Sequence, residues 1–358
     1  MISPLLYSQI YLYLVAILTL IQMNKYAKYR TINISRPSED IMPSFILTAI
    51  IALFIGFRPI SYIFVDMVNY NEYYYHAFSA NFSFDWNAEN FLFDNLFYFL
   101  SSNSIDIRFF FVIMAVIYFT GILIACRKFF PNDTFYALLV YLGAFSTFSY
   151  GTNGIKAGAA ASVFLVALAY NHKKVVSILI AILSIGMHHS MTLPVYAYIC
   201  VLLFNKPKYY LWGWLASIMI AFLHISFFQE LFAGLSDSRG SDYLTPTDDW
   251  GGKSGFRLDF IIYSSIAVFA GYYAIFIKKV DSKSYRIIYC TYLFTNAVWM
   301  LCMYASFTNR IAYLSWVMLP IVTIYPFLTC KIDKSQYLTM NKFVGIYLAF
   351  TIFSEYYL

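Results

Sequence analysis

Apolar runs of about 18 residues or more, with no charge inside them, recur along the whole of this sequence, and each is long enough to cross a hydrocarbon core of about 30 Å as a helix. With shorter runs and runs that carry a charge near one end included, the apolar segments fall roughly at 5–23, 43–57, 108–125, 134–150, 155–170, 175–188, 190–204, 210–228, 259–277, 285–305, 311–329 and 341–357. The runs at 155–170, 175–188 and 190–204 are short for a crossing. Hydrophobic residues fill 61% of the 358 positions and only 12% are charged, where a soluble domain carries about a quarter. No polar stretch exceeds about 50 residues, so no separate soluble domain fits. The expected architecture is therefore an all-α, polytopic integral membrane protein of about twelve transmembrane helices. It forms a single domain over 1–358, with two larger extracytoplasmic loops at 58–107 and 229–258. The stretch 89–101, apolar but interrupted by Asp94 and Asn95, reads as an interfacial helix rather than a span.

The first run lacks a basic segment before it and a small-residue exit after it, and is followed by Lys25, Lys28 and Arg30. That polarity is the reverse of a cleaved signal peptide and predicts a retained first helix. Charge then sets the topology. With the loop around Lys25–Arg36 in the cytoplasm and sides alternating at each run, 17 of the 24 basic residues fall on cytoplasmic loops and both termini face outward. A bias present at every such loop follows the positive-inside rule. It also accounts for the net charge of +6 without nucleic acid as a partner. Cys126, Cys200, Cys290, Cys302 and Cys330 are odd in number and spaced like neither a disulfide framework nor a zinc site, so they read as small packing residues.

Five constellations on the outward-facing side could carry chemistry. The first runs from Gly56-Phe57-Arg58-Pro59 through Asp66, Asn69-Tyr70 and Glu72 to Tyr73–Tyr75. A guanidinium can grip phosphate oxygens in bidentate fashion, and carboxylates with aromatic faces suit a sugar. An aromatic interface belt with a local Arg58–Asp66 pair reads the same residues without a ligand. The second, Gly151 to Ala161, contains Asn153 and a Gly154-x-x-x-Gly158 surface suited to close helix approach. Lys156 opposes the helix dipole there, so a bound phosphate or a nearby carboxylate is expected to account for it.

The third is Met187-His188-His189-Ser190. Adjacent histidines point to different helix faces and cannot form an i, i+4 metal pair; a proton acceptor or a hydrogen-bonded helix end fits them. The fourth gathers Arg239, Asp242, Tyr243, Lys253, Arg257 and Asp259, and the fifth is Thr308-Asn309-Arg310 with Tyr313. No dinucleotide fingerprint, Walker A, D-x-D or G-x-S-x-G is present, so nucleotide-sugar donors, ATP coupling and serine esterase chemistry have no motif behind them. Few ionisable residues lie mid-span, which disfavours an ion-coupled transporter.

In order and spacing, from about residue 56 to 320, these motifs resemble the EpsG/Wzy family of bacterial repeat-unit polymerases. The residues that carry the resemblance are Gly56 and Arg58 with Asp66 and Tyr70, Asn153 with Lys156, His188 with Ser190, and Arg310 with Tyr313. One departure is clear: the family commonly places an arginine–glutamine pair where this chain has Lys156-Ala157, and a lysine keeps the charge but loses bidentate geometry. The resemblance implies a glycosyltransferase of the bacterial cytoplasmic membrane, acting on its extracytoplasmic side. It would move a growing glycan from undecaprenyl diphosphate to the non-reducing end of a lipid-linked repeat unit. No cofactor or metal is implied, and such systems often use a chain-length regulator protein. On that reading Arg58, Arg257 and Arg310, with Lys156 and Arg239, bind diphosphate or sugar carboxylates. His188 or Asp66 takes the proton of the attacking hydroxyl, while Asn153, Tyr70, Tyr243 and Tyr313 contact the glycan. A lipid-linked oligosaccharide flippase, an O-antigen ligase and a membrane O-acetyltransferase are the alternatives.

Overall fold

The computed structural model describes residues 2–28, 40–76, 78, 80–225, 227–228, 255–305 and 308–357, and among them every regular element is helical. In chain order these are α1 (Tyr7–Ala27), α2 (Met42–Gly56), α3 (Asp66–His76), α4 (Phe91–Ser102), α5 (Ile107–Phe129), α6 (Thr134–Leu142), α7 (Phe145–Thr152), α8 (Ile155–Ala169), α9 (Lys174–Met187), α10 (Thr192–Leu203) and α11 (Pro207–Phe222). There follow α12 (Leu258–Tyr272), α13 (Lys283–Leu301), α14 (Thr308–Trp316), α15 (Leu319–Thr329) and α16 (Gln336–Tyr357). They sort into two compact units, Met1–Met191 with Phe327–Leu358, and Thr192–Pro326.

Twelve crossings were expected, and length and composition support a part of them. Among the described residues four helical stretches are long and apolar enough to span a bilayer: Pro4–Ala27, Ile107–Phe129, Leu258–Ile277 and Thr308–Thr329. Met42–Gly56, Ile155–Ala169, Lys174–Met187 and His189–Leu203 are apolar but shorter. The run 134–150 is not one helix. It breaks after Leu142, where Ala144 turns extended (φ −74°, ψ 140°). Backbone broken within an apolar segment needs substitute partners, and side chains supply them. Thr147 Oγ1 donates to the Tyr141 carbonyl at 2.8 Å, and Tyr11 Oη of α1 donates to that of Leu142 at 2.8 Å. The segment 58–107 holds α3 and α4, the second of them over the stretch read as a helix at 89–101.

In the first unit, small residues set the helix spacing, as expected where lipid gives no hydrophobic drive for association. A Cβ on Gly56 would lie 2.8 Å from the Val112 Cα of α5, and one on Gly121 would lie 2.6 Å from the Ser162 Oγ of α8. The expected Gly154/Gly158 surface is also a close-packing one. A Cβ on Gly158 would lie 2.6 Å from the Tyr150 carbonyl, and Gly154 faces the ring of the same tyrosine. The preceding helix α7 therefore fills it.

In the second unit the core is held by a buried polar network centred on Asn296 of α13. Its Oδ1 accepts from Trp214 Nε1 of α11 at 2.7 Å. Its Nδ2 donates to Ser264 Oγ of α12 at 3.1 Å and to Ser315 Oγ of α14 at 2.9 Å. Trp316 Nε1 also donates to Ser264 Oγ, at 2.7 Å. Helix α12 runs on into a π-helical turn over Tyr273–Ile277. Gly271 lets it lie directly against the Tyr289 ring of α13. All five cysteines are free, and Cys126, Cys290 and Cys302 are buried.

Candidate functional site

Arg58 follows the last turn of α2, and its side chain folds back into the first unit. Nη1 donates to the Ile55 carbonyl at 2.8 Å and Nη2 to the Thr152 carbonyl at 2.6 Å. These carbonyls belong to the C-terminal ends of α2 and α7, where helix dipoles leave partial negative charge. The guanidinium carbon lies 5.3 Å from the ring centres of both Phe64 and Phe111, and the residue is 1% exposed. Burial pushes its pKa down to about 9, so it is still a cation at neutral pH. The terminal nitrogens thus serve carbonyls rather than Asp66. Arg58 Nε and Asn153 Oδ1 remain buried without a hydrogen-bond partner among the described residues. Arg58 therefore fixes the Thr152–Asn153 turn, from which α8 and Lys156 start.

Asp66 opens α3 and is half-exposed, a position where the helix dipole favours a carboxylate. One turn on, the Tyr70 ring lies 5.8 Å from that of Phe93, 6.1 Å from Phe97 and 6.4 Å from Phe110. Tyr74, one turn further, is buried and donates to the Ile105 carbonyl at 2.7 Å; burial pushes its pKa up to about 12. Lys156 meets the same Phe93, with Nζ 5.0 Å from the ring centre. A cation over an aromatic face accounts in part for a lysine at a helix start. Phe93 therefore joins the first two motifs.

The third motif is tied to the same helix. Asn90, which precedes α4, is 4% exposed, and its Oδ1 accepts from the His189 N–H at 3.0 Å. Its own N–H donates to Asp94 Oδ2 at 3.0 Å. Gly186 lets α9 approach Leu92, whose Cγ lies 3.1 Å from a Cβ placed there. His188 sits in extended backbone at the end of α9, and its Nδ1 accepts from the Ser190 N–H at 3.2 Å. That bond keeps the lone pair of the neutral ring on Nδ1 and its proton on Nε2. In that tautomer His188 Nε2 is a donor.

Sequence reasoning set the α4 segment aside as interfacial and so missed Asn90, Phe93 and Asp94. The signal was present, in Asn90 and Asp94 bracketing the start of an apolar helix.

In the second unit, Arg257 precedes α12 and is held by Asp259, with Nε 2.9 Å and Nη2 2.6 Å from its carboxylate oxygens. The guanidinium lies 3.6 Å from the Phe260 ring centre, so much of this charge is already answered. Arg310, in the first turn of α14, is exposed. The start of that helix is fixed by Trp299 Nε1 donating to Thr308 Oγ1 at 2.9 Å. Tyr313 is only 7% exposed, its ring 5.5 Å from that of Trp316, so it braces α14 more than it faces a ligand. His224, inside the run read as 210–228, ends α11 early. It stacks on Tyr304 with ring centres 3.8 Å apart, a pairing no sequence pattern marked. Arg239, Tyr243 and Lys253 lie outside the described residues.

Among the described residues, no three His, Cys, Asp or Glu side chains gather as a metal site. The model of the EpsG family matches residues 41–357. No curated protein and no solved structure matches the chain.

Proposed function

The chain belongs to the EpsG family, and on that premise we propose that it is a membrane polysaccharide polymerase. It would transfer a growing glycan from undecaprenyl diphosphate to the non-reducing end of a lipid-linked repeat unit, on the extracytoplasmic side of a bacterial cytoplasmic membrane. The observation that carries this reading is α4. One short helix holds Tyr70 and Lys156 on Phe93 and anchors the histidine turn through Asn90. Three motifs far apart in sequence are thereby tied to one element of the first unit.

In this mechanism the acceptor hydroxyl oxygen attacks the anomeric carbon as the carbon–oxygen bond to the diphosphate breaks. Asp66 takes the hydroxyl proton. The leaving diphosphate gains negative charge, which fixed cations stabilise most in the transition state. Lys156, beside the ring of Phe93, is given that work in the first unit, and the exposed Arg310 of the second unit is a further cation that can meet an anionic group of the substrate. His188 Nε2–H donates to a sugar or phosphate oxygen, and Tyr70 lies along the glycan. The arrangement of basic loops supports the outward orientation. The bilayer and a lipid-linked oligosaccharide are the required partners, and a chain-length regulator is consistent with the chemistry.

The test is the glycan ladder of cells deleted for this gene and complemented with wild type, Lys156→Ala or Arg310→Ala. Wild type restores long chains, and both variants leave a single-repeat band at normal protein level. Loss of even that band on deletion points to a ligase or an earlier step instead, and a full ladder in both variants removes the cation roles. Asn90→Ala releases the His189 turn without touching substrate. It is expected to slow chain growth roughly ten- to hundredfold, the scale on which small misplacements cost rate, at unchanged membrane level. Wild-type chain growth in that variant, followed as label incorporated over time, would contradict the role given to α4.

A further inference from the structure

A groove between α11 and α13 in the second unit belongs to none of the motifs above. Its volume is about 350 Å³, with Tyr210 and Phe294 at one end, Gly213, Ala216 and Ala297 along its length, and Leu301 at the other end. Two of its hydroxyls are already committed. Tyr210 Oη donates to the Phe204 carbonyl at 2.9 Å, and Ser217 Oγ to that of Trp214 at 2.8 Å.

Gly213 is the second observation. A mid-helix glycine costs about 1 kcal/mol relative to alanine and is usually repaid by close packing. Each other helical glycine among the described residues has a neighbour within 4 Å of its Cβ position, whereas Gly213 has nothing within 4 Å. It keeps space open rather than letting two helices touch.

The groove has a closed end and a polar end. Rings of Phe204, Tyr210 and Phe294 pack together at the first, with centres 6.3 Å apart in each adjacent pair. From Tyr210 to Ile220, α11 rises about 15 Å. Beyond it comes the His224–Tyr304 stack. Phe222 packs on Phe256 at 5.7 Å, and the next residue, Arg257, donates its N–H to Met303 Sδ at 3.2 Å. An apolar trough about 15 Å long that ends at an imidazole and a phenol, both able to donate hydrogen bonds, matches a lipid chain bearing an anionic head.

We infer that this groove seats the isoprenoid tail of the lipid diphosphate and delivers its diphosphate to the His224–Tyr304 end. The identity of the lipid rests on the polymerase reading; the groove and its polarity do not. The test uses purified full-length protein in nanodiscs and undecaprenyl diphosphate carrying a diazirine in its chain. Adducts are expected on the peptides covering 209–220 and 294–301, displaced by unlabelled undecaprenyl diphosphate and not by phosphatidylglycerol. Gly213→Phe fills the trough and lowers labelling about tenfold at unchanged melting temperature. Ala216→Phe does so independently, while Gly213→Ala keeps at least half the signal. Adducts confined to other helices, equal displacement by phosphatidylglycerol, or full labelling of both phenylalanine variants would overturn the inference. A normal ladder with no groove labelling sinks the groove alone. Specific groove labelling with no ladder defect on deletion sinks the polymerase reading and leaves a lipid-diphosphate site.

Discussion

Arg58→Ala removes most of the folded protein from the membrane, not only its activity. The side chain fills a fully buried position between Phe64 and Phe111. It also gives charged hydrogen bonds to the C-terminal carbonyls of two helices. Hydrogen bonds to charged groups contribute about 1.5–3 kcal/mol each, and breaking a buried charged contact from one side costs about 3–5 kcal/mol. A loss at the upper end of that range approaches the whole stability of many domains. Arg58→Lys keeps the charge and one bond, so it should fall between alanine and wild type. Immunoblots of membrane fractions and thermal unfolding in detergent read both variants. An alanine variant with wild-type level and melting temperature but no long chains would return Arg58 to the role of a ligand contact.

The second large effect is expected at Asn296, which is wholly buried and joins α11, α12, α13 and α14 through side-chain bonds. Interhelical hydrogen bonds in membranes average about 0.6 kcal/mol and reach about 1.7. Losing three therefore costs roughly 2–5 kcal/mol, with the Trp214 N–H left without its acceptor. Asn296→Leu should lower the melting temperature clearly. Adding Trp214→Phe, which removes the stranded donor, should recover part of the loss. A single variant that melts with wild type would mean that the network adds nothing.

Helix positions were legible wherever apolar length alone decided them. The run 108–125 became Ile107–Phe129, and 155–170 became Ile155–Ala169. The run 134–150 broke because Tyr11, more than a hundred residues away, and Thr147 take up the freed carbonyls, and no local pattern announces a distant donor. Asn296 sat unremarked in the apolar run 285–305, since its partners on three other helices are set by packing.

Within the site, residue types were legible and partners were not. The sequence marks Arg58 as a cation at a helix end, but backbone carbonyls, the groups it holds, leave no trace in a residue pattern. Lys156 called for an explanation, and the Phe93 ring supplies part of it. The His188-x-Ser190 spacing marked a turn, while the tautomer depended on which backbone N–H reached Nδ1.

The most direct measurement is polymerisation by the purified protein in liposomes, supplied only with undecaprenyl-diphosphate-linked oligosaccharide. A ladder of glycans on lipid is expected, with one free undecaprenyl diphosphate released per added repeat, and neither product from Arg310→Ala. Substrate that crosses the bilayer without growing, or that stays single whatever the added components, would contradict it.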